Sequence, residues 1–158
     1  MKLKDIDKYY DNLLIPLSLI KDPERWLKKE IFSFRCSVFP VFYHTLQEII
    51  DNVDSISESQ VSEYRNRFLG FLNNLCLDFQ VYKRIQSLDE LILVNNIIID
   101  DVIDFTEKSN IDFFIPSLSI IFIGHDDFGF IILFHKKNID SAELINNLLN
   151  KYNLFMLK

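Results

Sequence analysis

"FIGHDDFGFIILF" (residues 122–134) sets a histidine and two adjacent aspartates between two apolar runs, and its reading decides the fold. A two-residue turn centred on Asp126-Asp127 would pair His125 with Phe128, Gly124 with Gly129 and Ile123 with Phe130. Aspartate suits such a turn because its carboxylate bonds nearby backbone N–H groups and tolerates positive φ. Gly124 and Gly129 mark the strand ends, where a bulge or a close backbone approach favours a residue without Cβ. "SLSIIFI" leads into the turn and "FIILF" leaves it, so the segment from about 118 to 135 reads as an antiparallel β-hairpin. Both arms are apolar at consecutive positions. That implies burial on both faces of a sheet, by helices on both sides or by a partner on one.

Downstream, "SAELINNLLNKY" reads as a short helix (about 141–152) and "LFML" as a final strand (about 154–157). Upstream, helical signals dominate. Asp22-Pro23 supplies an N-cap and a first-turn proline. Leu27, Ile31, Phe34, Val38, Val41, Phe42 and Ile49 then recur at helical spacing, with Pro40 set to kink or split the element. Ser57-x-x-Gln60 is a capping-box pattern opening a helix through Phe68, Leu72, Leu75 and Phe79. A second such pattern, Ser87-x-x-Glu90, opens a helix running to about Lys108, although "ILVNNIII" (92–99) within it is rich in β-formers. The expected class is α+β, a helical N-terminal two-thirds packed on a small C-terminal sheet. A chain of 158 residues can bury such a core as a single domain, 1–158.

Fifteen phenylalanines against three glycines exclude a disordered chain. One alanine against 22 isoleucines and 13 asparagines reads as the composition of an AT-rich microbial gene. Cys36 and Cys76 lie in apolar stretches and are expected to be free thiols in a reducing compartment. "MKLKDIDKYYD" has no apolar core of a secretory signal, and the run 113–124 is too short to span a bilayer. A soluble, cytoplasmic protein is expected, with no membrane partner.

The net charge of −6 is concentrated in one region. Residues 51–110 hold five basic and eleven acidic groups, while the flanking regions nearly balance. Between Arg84 and Lys108 there are six acids and no base: Asp89, Glu90, Asp100, Asp101, Asp104 and Glu107. Such a field repels phosphates, which argues against nucleic acid as a partner, and attracts a basic protein. Wound as a helix, 88–107 places Leu93 and Ile97 among those acids, a combination of apolar anchors and steering charges that fits a docking surface. The expected partner-binding set is therefore Asp89, Glu90, Leu93, Ile97, Asp100, Asp101, Asp104 and Glu107. The competing reading buries Leu93 and Ile97 under a neighbouring helix.

Catalytic patterns are sparse. His125-Asp126 matches the two-residue core of HD-type phosphohydrolases, which keep it on helices with further His and Asp ligands; here it sits in a hairpin, where turn chemistry accounts for it. Asp100, Asp101 and Asp104 have the DDxxD form that holds Mg²⁺ in isoprenoid synthases, but the second metal motif of those enzymes is missing. No phosphate-cradling glycine loop is present, and three histidines on three elements form no evident triad with the two cysteines. No metal, no cofactor and no enzymatic activity are expected.

In size, acidity, AT-rich composition and its α+β pattern, the chain resembles the immunity proteins of bacterial polymorphic-toxin and contact-dependent inhibition systems. It lacks the glycine-bearing pattern of their SUKH-like branch. The resemblance implies a cognate toxin, often a basic nuclease, blocked by charge-complementary occlusion. Two alternatives share part of the pattern: an interaction or scaffold subunit of a microbial or phage complex, and a metal-dependent hydrolase using His125 and Asp126.

Overall fold

A seven-stranded antiparallel sheet organises the described residues. The computed structural model describes Lys2 and residues 31–41, 43, 45–85 and 90–157. In chain order the elements are β1 (Ile31–Ser37), α1 (Leu46–Ile49, continued by a π-helical turn over Ile50–Asp54), α2 (Glu58–Asp78), β2 (Val81–Ile85), β3 (Leu91–Val94), α3 (Ile99–Thr106), β4 (Ile111–Ile115), β5 (Ile120–His125), β6 (Gly129–His135), α4 (Ile139–Lys151) and β7 (Phe155–Leu157). The strands lie in the order β3-β2-β4-β5-β6-β1-β7.

The expected small sheet under a helical two-thirds is thus wrong. Three strands, β1, β2 and β3, come from the part read as helical, and β4 precedes the hairpin. At β1 the spacing of Ile31, Phe34 and Val38 fits a helix, but Phe32, Phe34 and Cys36 also fit a period of two. Pairing with β6 on one side and β7 on the other supplies ladder hydrogen bonds that decide for the strand. The N-terminal signal at Asp22-Pro23 with Leu27, and likewise Phe42, His44, Ser87 and Asp89, lies outside the described residues. The helix expected over 88–107 divides into strand β3 and the shorter helix α3. Glu90 pairs with Lys2 through an isolated antiparallel bridge. The residues of β3, Leu-Ile-Leu-Val, favour the pleated backbone, and Asn95-Asn96 then break it.

Other local readings hold. Ser57 Oγ accepts the Gln60 N–H at 3.3 Å and Gln60 Oε1 accepts the Ser57 N–H at 2.9 Å, a complete capping box for α2. Helix α4 and strand β7 lie where the pattern puts them. The hairpin is present with a different register. His125 pairs with Gly129 and Gly124 with Phe130, so three residues, Asp126 to Phe128, make the connection. Asp127 and Phe128 both take left-handed backbone, with φ of 60° and 54°. For a phenylalanine this costs about 1–2 kcal/mol. Tertiary contacts offset it: the ring is buried beside Tyr64, the Phe128 N–H donates to Thr106 O at 3.0 Å, and Phe128 O accepts the Val38 N–H at 3.3 Å. Gly124 is required for close approach, since a Cβ there would lie 2.6 Å from Phe105 O and 2.7 Å from Ile111 O.

Both faces of the sheet are buried, as the consecutive apolar residues imply. Phe113, Phe122, Phe130 and Phe134 meet Phe68, Phe71 and Leu75 of α2, Phe105 of α3 and Ile145 of α4 in the main core. Phe71 stacks on Phe130 with ring centres 5.8 Å apart, and Phe105 meets Phe113 edge-on at 5.0 Å. On the other face Ile31, Leu91, Phe114, Ile121 and Leu133 form a second cluster, drawn entirely from strands and their flanks. An ion pair is buried at the β2–β4 pairing: Arg84 Nη1 stands 3.9 Å from Asp112 Oδ2, and Arg84 Nε and Nη1 make no hydrogen bond among the described residues. Asp112 Oδ1 accepts the Gly124 N–H at 3.3 Å.

Candidate partner-binding surface

The β3 end of the sheet gathers exposed aliphatic side chains. Helix α2 buries Phe68, Phe71, Leu72 and Leu75. Winding at 100° per residue places Leu77 opposite that arc, and it is 81% exposed. After β2, strand β3 forms the sheet edge with Ile92 43% and Leu93 46% exposed. Neighbouring residues of a strand point to opposite faces, so Ile92 extends the helix side and Leu93 the other. The chain then passes Asn95 and Asn96, where Asn73 fixes it: Asn73 Oδ1 accepts the Ile97 N–H at 2.8 Å and Asn73 Nδ2 donates to Ile97 O at 3.0 Å. That clamp drives Ile97 into the core, 2% exposed, and turns Ile98 and Ile99 outward. Beside it runs an open groove of about 280 Å³, where Leu77 and Tyr152 stand among Asn74, Asn95 and Asn96.

The residues expected to bind a partner are distributed differently from a single acidic helix face. Ile97 is a core residue and Leu93 an edge residue, so they share no surface. Asp101 is committed within the fold, since its carboxylate accepts Lys83 Nζ at 2.6 Å and the Ile98 N–H at 3.3 Å. Glu107 receives Arg65 through two bonds of 2.8 and 3.1 Å, and Asp104 pairs with Lys108 at 3.4 Å. Glu90 pairs with Lys2 at 2.9 Å, and the lysine holds its carboxyl below the ordinary glutamate range. Asp100 is exposed with no ion-pair partner among the described residues, and so is Asp78 at the end of α2. Leu77, Asp78, Ile92, Ile98 and Ile99 are outside the partner-binding set expected from the sequence. Leu77 was legible there, as the one apolar residue opposite the buried arc of α2.

The turn between β5 and β6 holds the histidine-aspartate pair. His125 Nδ1 lies 3.0 Å from Asp126 Oδ1 and 3.0 Å from Asp126 O. A cavity of about 150 Å³ opens beside it, with Arg35, Tyr43 and Asp127 near an apolar floor that includes Ile49 and Val53. Among the described residues no group of three or more His, Cys, Asp or Glu could hold a metal ion. The thiols are not activated: both are free, burial raises Cys36 well above its ordinary value, and burial with the Asp101 charge pushes Cys76 up to about 11. Cys36 sits on a strand rather than the helix expected for it. No described helix is long and apolar enough to cross a membrane. No protein-family model, curated protein or solved structure matches the chain.

Proposed function

We propose that this is a binding protein that holds and neutralises a basic protein partner, in the manner of an immunity protein blocking a cognate toxin such as a nuclease. The observation that carries the reading is the set of exposed aliphatics on α2, β3 and the chain that leaves β3, Leu77, Ile92, Leu93, Ile98 and Ile99, together with Asp78 and Asp100, which are exposed and have no ion-pair partner among the described residues. Aliphatic anchors of this kind act mainly on dissociation, and charges at their rim mainly on association. The intramolecular pairing of Glu90, Asp101, Asp104 and Glu107 confines the steering role to fewer acids than the sequence offers.

The test is to capture partners from the native host with the wild-type protein and with Leu77→Lys/Ile98→Lys in parallel, then purify the protein that the variant loses. The reading expects that protein to be basic, to lose its activity when bound, and to associate more slowly with Asp78→Asn/Asp100→Asn at low salt. A partner held equally by the variant, or one whose activity is untouched by binding, overturns it.

A further inference from the structure

Helix α2 turns Gly70, Asn73, Asn74 and Leu77, spaced as one stripe of a helix, toward an open groove of about 280 Å³ that Asn95, Asn96 and Tyr152 also line. Resting on the proposed function and deepening it, we propose that the partner seats a short non-helical segment in this groove. The amides of Asn74, Asn95 and Asn96 hold its main chain, and one of its apolar side chains lies against Leu77 and Tyr152.

Three observations carry this. The first is the chemistry of the wall. Among the described residues no charged side chain lines the groove, whereas four asparagines do. Asn74, Asn95 and Asn96 make no side-chain hydrogen bond among the described residues. Each amide both donates and accepts, and leaving such a group buried without a partner costs about 1–3 kcal/mol. A carboxylate would serve only the donors, an ammonium only the acceptors, and an apolar surface neither. A helix has already spent its own N–H and C=O groups. Main chain outside a helix offers both at every residue.

The second observation is that the same wall already holds such a segment. Asn73 Oδ1 accepts the N–H of the non-helical residue Ile97 at 2.8 Å, and Asn73 Nδ2 donates to Ile97 O at 3.0 Å. One asparagine of the stripe thus grips both polar groups of one residue, and Asn74 follows it directly. The third is the apolar contact. Leu77 is 81% exposed. Tyr152 is fixed: its ring packs on Gly70, where a Cβ would lie 2.5 Å away, and Arg67 Nη1 donates to the next carbonyl, Asn153 O, at 3.2 Å. A fixed aromatic ring beside a free leucine suits one apolar side chain. The volume lies just under the range of about 300–1,000 Å³ in which pockets enclose a free small molecule, and so suits a segment of a larger one.

The probe is the capped pentapeptide acetyl-Gly-Gly-Leu-Gly-Gly-amide, titrated into the isotope-labelled full chain and followed residue by residue by NMR. Its control carries N-methyl groups on the leucine and on the glycine after it, which remove two donors and keep the side chain. The proposal expects shifts confined to Gly70–Leu77, Asn95, Asn96 and Tyr152, and binding at least about tenfold weaker for the methylated peptide. Asn74→Leu/Asn96→Leu should also weaken the unmethylated peptide at least about tenfold, whereas merely apolar docking would be strengthened by the same change. No binding in the groove, equal affinity for the two peptides, or tighter binding to the double variant overturns the proposal. The proposed function keeps its own test, because capture of a basic partner that Leu77→Lys/Ile98→Lys loses does not depend on the peptide. The comparison of the two peptides uses the wild-type chain and holds whether or not the double variant folds.

Discussion

At one edge of the sheet, β7 is three residues long and its side chains are all half-buried; at the other, β3 carries two large aliphatics that are more than two-fifths exposed. A three-residue strand offers little template for another chain, whereas β3 keeps Ile92 and Leu93 largely outside. The interior shows the same contrast. Behind β7 and the hairpin, the turn is locked by Thr106 and Val38 even at the cost of left-handed backbone at Phe128. Behind β3, the chain spends its hydrogen bonds on fixing Ile97 and orienting α3, and leaves the neighbouring aliphatics outside. One end of the fold is closed by its own packing. The other is rigid underneath and open at the surface.

The largest effect is expected beneath the open end. Asp112→Ala removes the side chain that faces the buried Arg84 and accepts the Gly124 N–H, and should cost about 3–5 kcal/mol in denaturant unfolding; adding Arg84→Met should recover much of it. A pH series sharpens this. Burial raises the Asp112 carboxyl, opposed by the Arg84 charge and the Gly124 N–H. The folded chain therefore holds this proton more tightly than the unfolded one. The group's contribution is fully present below the ordinary aspartate range and is lost as pH rises through the raised range. Asp112→Asn should remove that slope; an unchanged slope would mean the carboxyl is not shifted.

Next comes the division within the open end itself. Ile97→Ala should destabilise the free protein by about 2–4 kcal/mol as a core truncation. Leu93→Ala should stay within about 0.5 kcal/mol as an exposed one. Equal losses would place both in the core and remove the edge from consideration. At the closed end, Gly124→Ala should cost about 1–3 kcal/mol, because its methyl meets two backbone carbonyls that cannot move independently. A neutral result there would show that the hairpin has slack. The smallest effect is expected from Asp127→Gly, within about 0.5 kcal/mol of wild type. Relief of the left-handed backbone is there offset by the greater freedom of glycine in the unfolded chain.

Much of the closed end was legible in the sequence, and much of the open end was not. The hairpin, α4 and β7 are bounded by turn residues and carry unambiguous periods. The turn was misread by one residue because Asp126-Asp127 looks complete as a two-residue turn. The inclusion of Phe128 depends on Thr106 and Val38, distant in sequence. At 88–107 the acids suggested a helix face, but the β-branched run and Asn95-Asn96 belong to a strand and its exit. The clamp from Asn73, twenty-four residues earlier, decides which isoleucine goes inside. Likewise Lys83, Arg65 and Lys108 consume acids that composition alone counts as free. β1 was lost to a helical spacing that coincides with a two-residue one.

The measurement that tests the central claim most directly uses two lysine substitutions at sites of matched exposure. Leu93, on the β3 edge, and Leu144, on α4, are 46% and 42% exposed. Dissociation rates of the purified basic partner from Leu93→Lys and Leu144→Lys are compared with wild type, after equal melting temperatures confirm both folds. The account predicts at least tenfold faster release from Leu93→Lys and an unchanged rate from Leu144→Lys. Equal rates for the two, or faster release from Leu144→Lys alone, would contradict it.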